Sequence, residues 1–291
     1  MHRSLLLVLF ALALPATAAA SFPGPDGRII FEGDPDHGAA SLFSITGAGS
    51  SLLPFGTSTT KQTNPAVSPD GRWVAFAASR DIYVAPSDGK GPAVQVTREG
   101  ANDSDPAFSP DGRRIVFSRA SVGDGDLFVV GVDGRGLRNL SNDATRIDDG
   151  PDWAPDGKRI AYTADPCFTD GPGAPQGGPC VFVMNADGTG KVNLTPEEKR
   201  SECDPDNQNP GFSHAHHSGD PSWSPDGTKI AYAGYFDICK QSSGGGSDIW
   251  VMNSDGTGKT DLMSDQATPD GAPSWSPSGS AIAFESVREG A

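Results

Sequence analysis

One phrase recurs along this chain: "PAFSPDGRRIVFSR" at 106–119, "PDWAPDGKRIAYTA" at 151–164 and "PSWSPDGTKIAYAG" at 221–234. Such self-similarity constrains the fold more than any local propensity. Each copy is one supersecondary unit that can bury its faces only against a neighbour. Aligned on Pro-Asp-Gly, six copies occur, at 25–27, 69–71, 110–112, 155–157, 225–227 and, with Ser in place of Asp, 277–279.

Each copy reads as a hairpin. Pro sets φ at the second position of a type I turn, Asp suits the third, and Gly accepts the left-handed backbone that follows. A short strand carrying Val67, Phe108, Trp153, Trp223 or Trp275 precedes the turn, and an apolar triplet such as Val74-Ala75-Phe76 or Ile160-Ala161-Tyr162 follows it. A strand that is apolar on both faces is covered on both sides. The small middle residue lets the next sheet come close.

Third strands follow at Ile82-Tyr83-Val84, Leu127-Phe128-Val129, Val181-Phe182-Val183 and Ile249-Trp250-Val251. Each leads through an Asp-Gly turn to a more polar fourth strand, ending near Thr97, Ser141, Thr195 and Ser264. Four antiparallel strands repeated without a helical period predict an all-β fold, a β-propeller of four-stranded blades. The units run at about 24–55, 65–97, 106–141, 151–195, 221–264 and 273–287, with an insertion loop at 196–220. Six blades with an incomplete last one are favoured. The alternative is five, with Pro273-Ser274-Trp275 supplying the inner strand that the first unit lacks.

The phrase P-x-W-S-P-D-G-x-x-I-A-Y/F, followed by I-W/Y-V-M-N-x-D-G, resembles the PD40 (WD40-like) repeat of TolB-like propellers over nearly the whole chain beyond residue 20. The resemblance implies a scaffold, because TolB belongs to a cell-envelope assembly. The same repeat also occurs in lyases and in peptidase accessory domains. No G-x-S-x-G nucleophile elbow is present, so peptidase chemistry is not expected and the protein reads as more scaffold than enzyme.

Residues 1–20 read as a secretory signal peptide: His2 and Arg3, an apolar stretch from Leu5 to Leu14, then Ala18-Ala19-Ala20 as a cleavage site. Residues 21–291 are then a single propeller domain, exported to the periplasm or secreted. The formal charge of −15 becomes −16 once Arg3 is lost with the leader. Such a surface disfavours nucleic acid and anionic membrane, and it suits a cation or a basic protein or peptide partner.

In an oxidising compartment, four cysteines imply two disulfides. Pairing Cys167 with Cys180 and Cys203 with Cys239 would staple two connections that have little core of their own. The 196–220 loop holds His214, His216 and His217. Imidazoles two apart on an extended segment point the same way and could share a divalent metal, with Asp220 completing the site. This cluster is similar to the histidine-rich metal centre of TolB-like oligogalacturonate lyases, without a residue-by-residue match, and a metal-dependent carbohydrate-active enzyme is the alternative reading. Otherwise no cofactor is required. Asp204, Asp206 and Gln208 lack the glycine and distal glutamate of a calcium loop.

Residues just ahead of each inner strand should lie at one mouth of the central channel: Asn64, Asp105, Asp149, Asp220 and Asp270, each one to three residues before its proline. A ring of carboxylates there would focus negative potential on a cation or a basic peptide. Turn capping explains the same residues as well. Asn102, Asn139 and Asn193 head N-x-S/T triplets that recur with the repeat and read as structural.

Overall fold

The computed structural model describes residues 10–11, 28–33, 41–46, 53–55, 61–98, 101–121, 124–166, 179–196, 218–234, 247–263 and 269–286. Among them every regular element is a strand. Strand β1 (Phe10–Ala11) comes first. The first unit holds β2 (Arg28–Gly33), β3 (Ser41–Thr46) and β4 (Leu53–Pro54). The second holds β5 (Gln62–Val67), β6 (Trp73–Ala78), β7 (Asp81–Pro86) and β8 (Val94–Gln95). In the third are β9 (Asn102–Phe108), β10 (Arg114–Ser121), β11 (Asp124–Gly131) and β12 (Arg138–Asn139). The fourth has β13 (Ile147–Trp153), β14 (Arg159–Asp165), β15 (Cys180–Asn185) and β16 (Val192–Asn193). The fifth has β17 (Ser218–Trp223), β18 (Lys229–Gly234), β19 (Asp248–Asn253) and β20 (Thr260–Asp261), and β21 (Asp270–Trp275) and β22 (Ala281–Ser286) form the last.

Within each unit the strands pair antiparallel in chain order. A single parallel pair, Gly125 with Ile147, joins the third and fourth units. Strand β1 lies inside the expected leader, yet it pairs with β22 through Phe10–Ile282 and Ala11–Ala281.

The Pro-Asp-Gly turns show why the phrase repeats. Ser109 Oγ donates to Asp111 Oδ1 at 2.6 Å, and the same oxygen accepts the Arg113 amide at 3.1 Å. The Arg114 amide donates back to Ser109 Oγ at 3.0 Å, while Gly112 takes φ +66°. Residues 68–73 and 224–229 repeat this network. A short polar side chain thus satisfies the backbone groups that a tight turn leaves open.

The core lies between units. Leu42 and Phe55 of the first pack on Val74 and Phe76 of the second. Ala75 and Ile82 of the second meet Phe108, Ile115 and Phe117 of the third. Val116 and Leu127 meet Trp153, Ile160 and Tyr162, and Ala161 and Val181 meet Trp223, Ile230 and Tyr232. The middle residue of each triplet faces the next unit and its flanking residues face the previous one. That is why the middle residue is small and why no unit has a core of its own. Between these layers, the Arg114 guanidinium stands 4.8 Å over the Trp153 ring and that of Arg159 4.6 Å over Trp223.

The fourth strands are held from inside. Hydroxyls of Thr97, Ser141 and Thr195 each accept a third-strand amide, from Ile82, Leu127 and Val181, at 2.9 Å. Asn139 Nδ2 donates to Asp126 Oδ2 at 2.8 Å and the Thr195 amide to Asn193 Oδ1 at 2.9 Å, so both asparagines act within the fold.

Candidate functional site: the acidic channel mouth

Every four-stranded unit and the last one carry an irregularity in the inner strand, just before its proline. Register shifts fall between Thr63 and Ala66, Asp149 and Asp152, Gly219 and Ser222, and Gly271 and Ser274, with a matching shift opposite Asp105. The residue immediately before the proline is left-handed at each: Asn64 (φ 51°), Asp105 (49°), Gly150 (54°), Asp220 (51°) and Ala272 (46°). Asn and Asp tolerate that region better than other side chains, and Gly has no Cβ to clash. A bulge re-aims the side chain it carries, so these five positions share one place at successive inner strands.

Asn64 Nδ2 donates to Asp105 Oδ1 at 2.7 Å, and Ser104 Oγ donates to Asp105 Oδ2 at 2.8 Å. Burial nevertheless raises the Asp105 carboxyl above its ordinary range. Asp149 is pushed up to about 7, first by burial and then by the charges of Asp105 and Asp220. Burial also raises Asp220, with the Asp105 charge adding to it. The Asp220 amide donates to Thr163 Oγ1 at 3.0 Å. At Gly150, a Cβ would stand 3.6 Å from Asp220 Oδ1, so the missing side chain leaves a gap beside that carboxylate.

Four of the five expected ring residues thus come together: Asn64, Asp105, Asp149 and Asp220. Asp270 does not join them. It stands three residues before its proline and is 1% exposed, and Ala272 occupies the place that Asp220 holds in the preceding unit. Asp152 went unnoticed in the sequence. Its Oδ2 accepts the Trp223 amide at 2.7 Å, and burial pushes its carboxyl to about 7. The only sequence signal was an acid after the proline, where other units have Ala66, Ala107, Ser222 and Ser274.

His214, His216 and His217 lie outside the described residues, as do Cys167, Cys203 and Cys239. Cys180 is buried at the start of β15. Among the described residues no three of His, Cys, Asp or Glu converge closely enough to hold a metal ion, and no helix is long and apolar enough to cross a membrane. Chemically, this is a cluster of buried carboxylates in which the Asp105 charge opposes ionisation of Asp149 and Asp220, and Asp220 that of Asp149. A cationic group placed among them relieves that opposition.

Residues 81–214 match the family model described as the TolB beta propeller domain (PD40), and 46–105 match the N-terminal region of dipeptidyl peptidase IV. No curated protein matches the chain. Among solved structures, TolB from Agrobacterium tumefaciens is 20% identical with a TM-score of 0.63, over 84% of this chain and 83% of that one. TolB from Acinetobacter baumannii is 22% identical, also at 0.63, over 90% of this chain but only 59% of that one. An oligogalacturonate lyase in complex with manganese is 12% identical with a TM-score of 0.54, over 91% and 87% of the two chains. Repeat, fold and family match agree: the chain has the fold of a TolB-like β-propeller, and its match to the PD40 family spans residues 81–214.

Proposed function

We propose that the protein is an exported, non-catalytic propeller that binds a basic protein or peptide of the cell envelope at its acidic channel mouth. The observation that carries this reading is the approach of Asp105, Asp149 and Asp220 at the bulges of successive inner strands, where the Asp105 charge opposes ionisation of the other two and Asp220 opposes that of Asp149. Carboxylates that raise one another's pKa gain most from a cation that enters among them. Export rests on the leader features of residues 1–20, and the 167–180 and 203–239 disulfides belong to the same reading.

The test is capture of envelope proteins by the parent and by an Asp105→Asn/Asp149→Asn/Asp220→Asn variant, read by mass spectrometry. A partner held by the parent and lost by the variant supports the reading, and equal capture by both removes the channel mouth from it. The second reading, a metal-dependent carbohydrate-active enzyme, draws on the clustering of His214, His216 and His217. Stoichiometric manganese, zinc or calcium in the purified protein would favour it.

A further inference from the structure

The inner strands of the third and fourth units begin alike. Asp103 and Asp148 each stand three residues before the proline, and each is 1% exposed. Each lies directly opposite a residue of the second strand, Arg119 for Asp103 and Ala164 for Asp148. In the third unit Arg119 Nε and Nη2 donate to Asp103 Oδ1 and Oδ2 at 2.7 and 2.9 Å, a fork that satisfies a buried carboxylate. The fourth unit keeps the acid without the arginine. Among the described residues neither buried carboxyl oxygen of Asp148 has a hydrogen-bond partner within bonding geometry, although the Ser141 hydroxyl stands near enough to favour its charge; that hydroxyl donates to Asp126 instead.

The groups facing Asp148 come from every neighbouring element. They are Asp126 of β11, Ser141 and Asp143 after β12, and Lys191 ahead of β16. Tyr162 of β14 also faces it, Arg146 stands beside Tyr162, and Asp149 is next on its own strand. Their bonds are largely spent on one another. Ser141 Oγ donates to Asp126 Oδ1 at 2.7 Å, and Lys191 Nζ donates to the Ser141 carbonyl at 2.6 Å and faces Asp143 Oδ2 at 3.8 Å. The Arg146 guanidinium lies 5.0 Å over the Phe182 ring. Lys191 favours a charge on Asp148, whereas Asp126 and Asp143 oppose it.

We propose that Asp148 is a protonation switch in the seam between the third and fourth units, seating β13 against β11 when neutral and loosening that contact when it ionises. Burial, the largest cause, pushes this carboxyl up to about 6. The seam is where such a change would act, because β11 and β13 share a single backbone pair, Gly125 with Ile147. The sign follows from the raised value. The folded chain holds the proton to higher pH than the unfolded chain, so the contribution is full below the ordinary value of 3.8 and is lost as pH rises to about 6.

The test is amide hydrogen exchange, corrected for intrinsic rates, of residues 124–131 and 147–153 at pH 5 and pH 7.5. The proteins are the full chain, Asp148→Asn, and Ala164→Arg, which copies the Asp103–Arg119 arrangement. In the parent, protection of these segments is expected to fall roughly tenfold or more, since one pKa unit is a factor of ten. Both variants should show a clearly smaller fall there, what remains coming from Asp149 and Asp152, whose carboxyls are raised to about 7. An equal fall in Asp148→Asn overturns the proposal, and so does a fall in the parent that is as large in residues 74–86. If Asp148→Asn does not fold, carboxyl carbon resonances of the parent and of Ala164→Arg decide. A buried aspartate that titrates near pH 6 only in the parent supports the switch, and its absence overturns it.

Discussion

The backbone amide of Trp223 donates to Oδ2 of Asp152, one unit earlier, at 2.7 Å. One unit further on, the Trp275 amide points to Ser222 Oγ at 3.4 Å. Inner strands are therefore linked side chain to main chain, across the same gap that the Arg159 guanidinium bridges over the Trp223 ring. The link between Asp152 and Trp223 uses a carboxyl that burial pushes to about 7, so it is sensitive to pH in a way that the serine link is not.

Asp152→Asn is expected to flatten the pH dependence of stability. The raised carboxyl contributes most below its ordinary value of 3.8 and loses that contribution as pH rises to about 7. Asn keeps an acceptor for the Trp223 amide but does not titrate. Thermal unfolding of parent and variant at pH 5 and pH 8 is the measurement. The parent should lose the larger share of its Tm at pH 8, while Asp152→Ala should fall below both at pH 5 because the amide is left without its acceptor.

Ala161→Leu tests whether the small middle residue of the triplet is a packing requirement. Ala161 is fully buried and belongs to the layer with Trp223, Ile230 and Tyr232 of the next unit. Overpacking costs about 1–3 kcal/mol. Urea unfolding should show that loss for Ala161→Leu. Val192→Ala, at a site 55% exposed on an outer strand, should change stability by less than about 0.5 kcal/mol.

The turn network gives the opposite pH sign. Asp111 is held below its ordinary range, first by the Ser109 hydroxyl bond and then by the Arg113 amide and the charges of Arg114 and Arg113, against the effect of burial. A depressed acid stabilises above its ordinary value of 3.8, and that stabilisation is lost as pH falls below it. Ser109→Ala should cost about 0.5–1.5 kcal/mol at pH 7 in urea unfolding. The difference from the parent should shrink at pH 3, and a difference that grows there would refute this account of the turn.

Strand order and layer packing were legible in the sequence because their determinants are local and repeated. Pro-Asp-Gly fixes the turn, and the alternation of Ala75, Ala161 and Ala231 with larger neighbours fixes which face meets the next unit. The candidate site was legible only in part. Counting back one to three residues from the proline spans positions on opposite sides of a strand. The bulge then decides which residue takes the left-handed position before the proline, so Asp220 takes it in the fifth unit while Ala272 takes it in the last, with Asp270 buried two positions ahead. Asp148 and Asp152 escaped notice because an acid's environment depends on its cross-strand partner. The aligned phrases put Ala164 where Arg119 stands, but only the strand register shows that this position lies opposite the acid three residues before the proline.

Binding at the mouth should strengthen with pH. Asp149 is raised to about 7 and Asp105 and Asp220 are raised as well, so the mouth gains negative charge as pH passes through neutrality. A lysine- or arginine-rich peptide titrated by calorimetry is expected to bind several-fold more tightly at pH 8 than at pH 6. The affinity should fall with added salt, since part of the interaction is screened within a Debye length of about 10 Å at 0.1 M. Asp149→Asn removes the group that changes charge nearest neutrality, so it should remove most of the pH dependence and lower affinity at pH 8. Gly150→Ala should weaken binding at both pH values by filling the gap beside Asp220 Oδ1, at some cost in stability from its φ of +54°. A peptide affinity indifferent to pH and to Asp149→Asn would place cation recognition elsewhere on the propeller.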